Sequence, residues 1–357
     1  MTDLTVLVTG CGAPGFPGTL WSLRHNYDDR ALRVVGTDMN DAQAGRYLAD
    51  AFHRVPAADD EAFVPELLSI CRTESVDVVL PQVTRELPVL ADAKAAFADA
   101  GTAVAVADPG TIARANDKGA LVDRCEALGV PAPETTRVST AADLRAACAD
   151  LGHPDRPVVV KPPTANGSRG MRILDPDRDR KRAFYEDKPT GRYATLDGLV
   201  EVLGESFPEL LVMEYLPGTE YTVDAFRPPG GGEVVAIPRR RDSVTAGISF
   251  RGSLARHEGI IEATRRLADD LGLAYAFGFQ FKEAADGEPK ILECNPRVQG
   301  TMVTSTFARA NVTYSAIKAA LDEPVPSFDP AWDRSFHRYW GGIGVVDDAV
   351  VGNVGEL

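Results

Sequence analysis

The first third of the chain alternates short apolar segments with longer stretches of helical pattern, and this alternation constrains the fold more than any other feature. Strands that alternate with helices through short loops form a parallel, doubly wound sheet. The sequence therefore predicts an α/β fold that begins with one domain of about 110 residues. The predicted strands are residues 4–9, 32–37, 76–80 and 103–106. Two of the predicted helices are residues 61–71 and 87–100.

The rest of the chain mixes helices with further strands and a hairpin. A helix over residues 117–128 ends at Gly129, a residue that suits the left-handed backbone of a helix C-cap. The densely charged residues 175–188 are expected to be exposed. Other predicted strands are residues 158–161, 210–216, 220–226, 278–284 and 290–294, and other predicted helices are residues 258–271 and 304–321.

The charge balance excludes some classes of partner. The 357 residues include 38 Lys and Arg against 52 Asp and Glu, which gives a formal net charge of -14. Nucleic acids and membrane surfaces are also negative, so neither is expected as a partner. No apolar run reaches the length of a membrane span, and the N-terminus lacks the basic region of a secretory signal. The five cysteines follow no disulfide or zinc pattern. We expect a cytoplasmic protein with reduced thiols.

A glycine motif follows the first predicted strand. Residues 10–15 contain glycines in the spacing of a dinucleotide-binding turn, and Asp38 ends the next strand, where an acid would bind ribose. Pro14 and Pro17 each remove a backbone N–H donor where the phosphate-binding helix should begin. Three interpretations stay open: a tight turn without a cofactor, an NAD(P) site, and a loop that borders an active site formed by the rest of the chain.

Lysine is the scarce cation, with 8 residues against 30 arginines, so a lysine at a chemically sensible position carries more weight. Lys161 ends a predicted strand directly before a loop over residues 162–170, which includes Gly167 and Ser168. The backbone N–H groups of such a loop can bind phosphate oxygens while the lysine neutralises their charge. The spacing differs from that of the P-loop, which excludes that NTPase class. The alternative is a solvated turn.

A second group of polar residues lies near the end of the predicted hairpin. Glu293 and Asn295 are two apart in a strand, so they share one face, and Gln280 on the preceding strand can reach the same point. These hard oxygen ligands suit Mg²⁺ bound together with nucleotide phosphates. Arg297 follows, where a transferring phosphoryl group would develop charge. The alternative is a strand-end turn with a surface Arg and Glu.

Taken together, these features resemble the ATP-grasp superfamily, and within it the synthetase unit of the carbamoyl-phosphate synthetase large chain. Five motifs follow in the family's order: Asn116-Asp117-Lys118, Val158-Val-Val-Lys161-Pro, the glycine loop, Met213-Glu214-Tyr-Leu216 and Glu293-Cys-Asn295-Pro-Arg297. The resemblance implies a Rossmann-like pre-ATP-grasp domain over residues 1–112 and a two-lobed ATP-grasp domain of α+β type. Its N-lobe with a mobile lid would cover residues 113–212, and its C-lobe with the Mg/ATP site residues 213–330. Residues 331–357 would be a tail packed on the core.

The resemblance also implies a role for each matching residue. The nucleotide ligands would be Lys118 and Lys161 for the ATP phosphates, the loop with Gly167 and Ser168 as the lid, Glu214 and Leu216 for the adenine, and Glu220 for the ribose. One or two Mg²⁺ ions, for which Mn²⁺ is an alternative, would be held by Gln280, Glu293 and Asn295. Arg297 would stabilise the acyl-phosphate transition state.

The carboxylate substrate needs a cation near the γ-phosphate, and a planar guanidinium suits it. Four arginines lie in the segment where relatives bind this substrate: Arg239, Arg240, Arg241 and Arg251. We expect one of the triplet over residues 239–241 to enter the site together with Arg297. The alternative for the triplet is a solvated loop.

Three functions are compatible with these features. The first is an ATP- and Mg-dependent ligase that activates a carboxylate as an acyl phosphate for attack by an amine, releasing ADP and phosphate. The second is a carboxyphosphate or carbamate kinase like that of carbamoyl-phosphate synthetase. The third is an NAD(P)-dependent oxidoreductase that uses residues 10–15 and Asp38. The expected partners are a small-molecule carboxylate and an amine, and the family implies a homodimer as a further hypothesis.

Overall fold

The computed structural model describes residues 4–164, 169–187, 191–245 and 247–356. Its first five strands form one parallel sheet in the order β3-β2-β1-β4-β5, which confirms the predicted doubly wound α/β sheet. The strands are β1 Leu4–Thr9, β2 Leu32–Asp38, β3 Ala51–Arg54, β4 Val78–Leu80 and β5 Ala103–Val104. The helices are α1 Phe16–Arg24, α2 Phe63–Glu74, α3 Leu87–Asp92, α4 Lys94–Asp99 and α5 Pro109–Asn116.

The chain direction within this sheet fixes where a ligand can bind. Strand order runs one way from β1 to β3 and the other way from β1 to β5 through β4. The loops after β1 and β4 therefore diverge at the carboxyl edge of the sheet and leave a crevice between them, the usual ligand position in open α/β sheets. The glycine loop follows β1, and Gln82 follows β4.

A second sheet follows, with the order β6-β10-β7-β8-β9. Its strands are β6 Thr135–Thr140, β7 Val158–Lys161, β8 Arg172–Leu174, β9 Tyr193–Ala194 and β10 Ser206–Glu214, and its helices are α6 Lys118–Leu128, α7 Ala141–Asp150, α8 Arg180–Glu186 and α9 Leu196–Leu203. Asp117 caps α6 by accepting hydrogen bonds from the backbone N–H groups of Gly119 and Ala120, and Gly129 ends it at φ 62°. These caps are the physical reason that the predicted boundaries of α6 agree with the structure.

The third sheet is antiparallel, with the order β15-β14-β11-β12-β13-β16. Its strands are β11 Glu220–Arg227, β12 Val235–Thr245, β13 Ile248–Leu254, β14 Tyr275–Glu283, β15 Pro289–Asn295 and β16 Ser335–His337, and helix α10 Glu258–Leu271 packs against it. Because β14 and β15 pair directly, Gln280 lies opposite Glu293. The predicted hairpin therefore brings the two residues together.

The last predicted helix, residues 304–321, is instead two helices, α11 Val303–Phe307 and α12 Val312–Ala320. Arg309 lies between them with φ 65°, a left-handed backbone that an α-helix cannot contain. The break lets both short helices pack against α1, and α12 shares the apolar core that contains β1. The predicted helix over residues 87–100 is likewise divided into α3 and α4 at Ala93, where ψ is 1°.

The C-terminal segment, predicted to be a tail packed on the core, forms three strands. Strand β16 extends the third sheet beside β13, and β17 Ile343–Val346 then pairs with β18 Ala349–Asn353 as a separate hairpin. Tyr47 in the first domain donates a hydrogen bond to Asp348 at the tip of this hairpin. Within the described residues, no helix combines the length and apolar character needed to cross a membrane.

Candidate active site

A cavity of about 560 Å³ lies where the three large sheets meet. Ten of the predicted site residues line it: Lys118, Lys161, Leu216, Glu220, Arg239, Arg241, Gln280, Glu293, Asn295 and Arg297. Three predicted residues do not line it: Glu214, Arg240 and Arg251. The predicted lid residues Gly167 and Ser168 lie outside the described residues. The cavity thus gathers residues that are more than 170 positions apart in the sequence.

Two lysines enter the cavity from the second domain. Lys118 is the first residue of α6, and its Nζ lies 3.9 Å from Oε2 of Glu293. Lys161 ends β7, with its Nζ 3.5 Å from the carbonyl oxygen of Leu292. Burial lowers the pKa of Lys118 and lowers that of Lys161 to about 8, while Glu293 opposes both shifts. Lys161 therefore remains mostly protonated at neutral pH, so its side chain can neutralise an anionic ligand.

Oxygen ligands converge on the opposite wall. Nδ2 of Asn295 donates to Oε1 of Glu293 at 3.1 Å, which leaves Oδ1 of the amide and Oε2 of the carboxylate directed elsewhere. Gln280 supplies a third oxygen from the neighbouring strand. One carboxylate and two amides are hard donors that fit Mg²⁺. Within the described residues no group of three His, Cys, Asp or Glu could hold a metal ion, so an ion here would need further oxygen ligands such as amides, water or phosphates.

Arg297 is held in place by three neutral acceptors. Its Nε donates to Oγ1 of Thr84 at 2.8 Å, its Nη1 to the carbonyl oxygen of Val298 at 2.9 Å, and its Nη2 to Oδ1 of Asn295 at 3.3 Å. Thr84 follows β4 of the first domain, so this arginine joins the first sheet to the Asn-Pro-Arg turn. Burial lowers the pKa of Arg297, and the nearby charge of Glu293 opposes that shift. The guanidinium is thus fixed beside the oxygen ligands.

The arginine triplet lies in β12 and not in a solvated loop, so alternate side chains face opposite sides of the sheet. Arg239 and Arg241 face the cavity, whereas Arg240 is exposed and lies near Asp242. Arg251 on β13 is exposed as well. The expectation that one of the triplet enters the site therefore needs refinement, because the strand pleat brings in two and turns Arg240 away.

The two inward arginines have different partners. Arg239 and Asp224 form a buried ion pair, with Nε to Oδ2 at 3.1 Å and Nη2 to Oδ1 at 3.3 Å. Arg241 donates through Nη1 to Glu220 at 2.7 Å and to Oε1 of Gln280 at 3.2 Å. It therefore links the predicted ribose ligand with a predicted metal ligand. Burial raises the pKa of Asp224, and the paired guanidinium of Arg239 opposes that shift.

Two predicted nucleotide ligands, Glu214 and Leu216, lie at the end of β10, and only Leu216 lines the cavity. Leu216 is buried and lines the cavity together with Tyr215. The side chain of Glu214 turns away and accepts a hydrogen bond from Nζ of Lys290 at 2.7 Å, while its backbone N–H donates to the carbonyl oxygen of Glu134. The Glu214 carboxylate and N–H are therefore already occupied. The proposed adenine contact of Glu214 would therefore have to use its carbonyl oxygen.

The N-terminal glycine loop faces this cavity with Ala13, Pro14 and Gly15. Asp38 accepts hydrogen bonds from the backbone N–H groups of Gly12 and Asn40, so it stabilises its own loops. A Cβ at Gly15 would lie 2.5 Å from Cα of Gly300, which explains why this position needs a glycine. The arrangement agrees with the third interpretation of the motif, a loop that borders a site formed by the rest of the chain.

The comparisons with known proteins agree with this geometry. The family described as "ATP-grasp in the biosynthetic pathway with Ter operon" matches residues 206–338, and the family described as "PylC-like, N-terminal domain" matches residues 6–105. The chain is thus similar to ATP-grasp enzymes over residues 206–338. The carbamoyl phosphate synthase large chain of Deinococcus radiodurans is 27% identical over 267 residues, which cover 71% of this chain and 24% of the relative. The chain thus spans about a quarter of that relative's length.

Solved structures show the same ATP-grasp fold. An ADP complex of N5-carboxyaminoimidazole ribonucleotide synthetase (purK) superposes with a TM-score of 0.65 at 18% identity, covering 92% of this chain and 79% of the other. An L-amino acid ligase from Bacillus licheniformis superposes with a TM-score of 0.61 at 17% identity, covering 90% of this chain and 74% of the other. These structures therefore share the fold of this chain over at least 90% of its length.

Sequence reasoning missed several residues of this cavity. Arg338 follows β16 and reaches the cavity from the segment expected to be a tail, and Gln82 follows β4. Arg192 and Lys282 line the wall near Tyr215. Nothing in the local pattern around Arg338 separates it from the other arginines. Gln82 could have been found, since it follows the predicted strand over residues 76–80 at the edge where such sheets bind ligands.

The cavity is strongly cationic although the chain is acidic. Among the described lining residues, two carboxylates, Glu220 and Glu293, face nine cations. These are Lys118, Lys161, Arg169, Arg192, Arg239, Arg241, Lys282, Arg297 and Arg338. Cationic walls around a low-dielectric cleft concentrate anionic ligands. The site is therefore suited to a polyanion such as a nucleoside triphosphate.

Behind the crevice, Glu86 is buried near Thr9 and Asp38. Burial raises the pKa of this carboxyl to about 7 from an ordinary 4.5, with a further contribution from the negative charge of Asp38. Its Oε2 has no hydrogen-bond partner among the described residues. The folded protein therefore favours the protonated form of Glu86.

Proposed function

We propose that this ATP-grasp enzyme is an ATP- and Mg²⁺-dependent ligase that joins a carboxylate to an amine. The observation that carries the proposal is the cavity itself, where two lysines from α6 and β7 meet three oxygen ligands and Arg297 from the β14–β15 hairpin and the turn after it. Each of these groups was expected to interact with ATP, metal or the reacting carboxylate. The ATP-grasp superfamily match and the likeness to an L-amino acid ligase support the same reaction class.

In the proposed complex, Lys118 and Lys161 hold the phosphates, while Leu216 and the carbonyl of Glu214 contact the adenine. Glu220 accepts hydrogen bonds from the ribose hydroxyls once it exchanges its contact with Arg241. Gln280, Glu293 and Asn295 hold Mg²⁺, which would neutralise charge on the phosphate oxygens and polarise the γ-phosphoryl group. Because the protein supplies only one carboxylate, we expect metal binding to depend on the nucleotide.

The chemistry has two steps. A carboxylate oxygen of the substrate attacks the γ-phosphorus, the bond to the bridging oxygen breaks, and ADP leaves with that electron pair. The amine nitrogen then attacks the acyl carbon, phosphate leaves, and the ammonium group loses a proton. The chain's part is to orient the carboxylate through Arg239 and Arg297 and to offset charge that develops on the transferring group. No nucleophilic side chain is required.

Thermal unfolding and ADP release test the proposal. ATP or ADP with Mg²⁺ should raise the midpoint of unfolding, and the ATP-dependent rise should shrink in Glu293→Ala. A screen of amino acids and small carboxylates, each with and without an amine, should then find acid-dependent ADP release. Stabilisation by NAD(P) without any effect of ATP would instead support the oxidoreductase alternative.

A second candidate is a carboxyphosphate or carbamate kinase, which the 27% identity to a carbamoyl phosphate synthase large chain supports. The two candidates share the nucleotide site and differ in the acceptor. ADP release that requires bicarbonate but no organic acid would favour the kinase. ADP release that requires an organic acid would favour the ligase.

A further inference from the structure

Among the described residues, two arginines at the end of the cavity next to the first domain have no acidic partner in an ion pair. Arg297 donates only to neutral oxygens, as described above. Arg338 donates to the carbonyl oxygens of Pro14 at 2.8 Å, Gly300 at 2.9 Å and Ser249 at 3.3 Å. Among the described residues, no carboxylate lies within 4.0 Å of either guanidinium. Both guanidinium groups are therefore held in place by neutral acceptors, without an ion pair among the described residues.

The surroundings of Arg338 increase the need for an anion. Arg239 lies close enough for its charge to lower the pKa of Arg338 further, beyond the larger effect of burial. Arg239 is itself neutralised by Asp224, with which it forms the buried pair. Gln82, which is 8% exposed, lines the same cavity, and its Nε2 has no hydrogen-bond partner among the described residues. Unpaired cations and an unused amide donor at one place are costly unless a ligand satisfies them.

The three carbonyl contacts of Arg338 lie on elements other than those that carry the two lysines. Pro14 belongs to the glycine loop, Gly300 to the turn after Arg297, and Ser249 to β13. The lysines that would hold phosphates lie instead on α6 and β7. Because carbonyl oxygens orient the guanidinium without removing its charge, it is prepared to bind an anion from the second substrate.

We propose that the acid substrate carries a second anionic group, a carboxylate or a phosphate, which binds Arg338 while the reacting carboxylate binds Arg297. The inference rests on the proposed ligase function and narrows its substrate to dianionic acids. One acid group reaches the γ-phosphate beside Arg297. The other lies toward the crevice between the loops after β1 and β4, where the amide of Gln82 donates to it.

The test compares acids with and without a second anionic group, and the first two pairs have nearly constant size. ADP release is measured with ATP, Mg²⁺ and glycine for L-aspartate against L-asparagine, L-glutamate against L-glutamine, and O-phospho-L-serine against L-serine. At least one charged acid should exceed its neutral partner in kcat/KM by roughly 10- to 100-fold, the range for one hydrogen-bonded charge pair. Arg338→Gln should raise the KM for that acid by a similar factor and leave the KM for ATP unchanged.

Two further variants separate charge from packing. Arg338→Lys keeps the charge and should retain part of the preference that Arg338→Gln loses. Arg334→Gln is the matched control, because this neighbouring arginine pairs with Asp333 at the surface and should leave the preference unchanged. If Arg338→Gln fails to fold, inhibition of the wild-type enzyme by succinate against propionate decides the point, with succinate expected to bind roughly 10-fold more tightly or better.

Each outcome separates this inference from the ligase function. Acid-dependent ADP release with equal kcat/KM for charged and neutral acids overturns the second anionic group and leaves the ligase function intact. The same holds if Arg338→Gln weakens both members of a pair equally, or if propionate inhibits as well as succinate. An enzyme that releases ADP with none of the acids overturns both proposals.

Discussion

Asp224→Asn should destabilise the protein strongly, although the substitution changes the shape of the side chain very little. Asp224 is completely buried and the Arg239 side chain is 2% exposed, so the pair is shielded from water. Two hydrogen bonds, at 3.1 Å and 3.3 Å, join them. Each hydrogen bond to a charged group contributes about 1.5–3 kcal/mol, and an unpaired buried charge costs about 3–5 kcal/mol. We expect the free energy of unfolding to fall by about 3–5 kcal/mol.

Urea unfolding followed by far-UV circular dichroism measures the effect. Asp333→Asn is the matched control, because Asp333 pairs with Arg334 at 3.0 Å but the two side chains are 75% and 39% exposed. An exposed pair contributes less than about 1 kcal/mol, so the control should unfold close to the wild type. If Asp224→Asn also unfolds within about 1 kcal/mol of the wild type, the buried pair does not contribute as argued.

A double variant then separates stability from binding. Asp224→Leu with Arg239→Met removes both charges and should recover much of the lost stability, since apolar replacement of a buried pair is often neutral or stabilising. The same variant should have little acid-dependent ADP release, because Arg239 is a proposed substrate ligand. A fully active double variant would exclude Arg239 from the site.

Three further variants test the chemistry and the pH dependence. Glu293→Ala should abolish Mg²⁺-dependent ADP release while circular dichroism shows an intact fold; full activity would contradict its role as a metal ligand. Arg297→Lys keeps the charge but loses the planar guanidinium with its three contacts, so kcat should fall about 100-fold with a smaller change in the KM for ATP, and an unchanged kcat would refute its role. Since the pKa of Glu86 is about 7 in the fold and ordinarily 4.5, stability should fall as pH rises between these values. Glu86→Gln should therefore be more stable than the wild type by up to about 3 kcal/mol above pH 7 and similar to it near pH 4.5, and equal stability at both pH values would contradict this assignment.

The elements with strong local signals could be predicted from the sequence. The boundaries of α6 follow from Asp117 and Gly129, which satisfy the unpaired groups at each helix end. By contrast, the break between α11 and α12 has no local signal. Arg309 takes a left-handed backbone because the two helices must turn to pack on the first domain, and that demand comes from tertiary contacts. The helical pattern alone therefore predicted one helix, whereas packing on the first domain divides it into α11 and α12.

The same limit applies to the site. Residues in one short segment, such as Glu293, Asn295 and Arg297, could be grouped because strand periodicity fixes their relative direction. The sequence did not show which arginines of the triplet over residues 239–241 face the cavity. That follows from β12 being a strand, because its pleat turns Arg240 to the surface. Arg338 was missed because its position depends on β16 pairing with β13, a contact between distant parts of the chain.

The acidic chain has a cationic cavity because contacts between distant parts of the chain decide which residues line it. A formal charge of -14 describes the average surface, whereas the cavity draws its cations from several well-separated segments. The third sheet brings Arg239, Arg241 and Lys282 to one wall, and α6 and β7 add the two lysines from the other side. An acidic body repels polyanions such as nucleic acids over its outer surface, while the enclosed cationic walls attract an anion small enough to enter. A protein can thus select small anions over large ones through the positions of its charges, whatever its net charge.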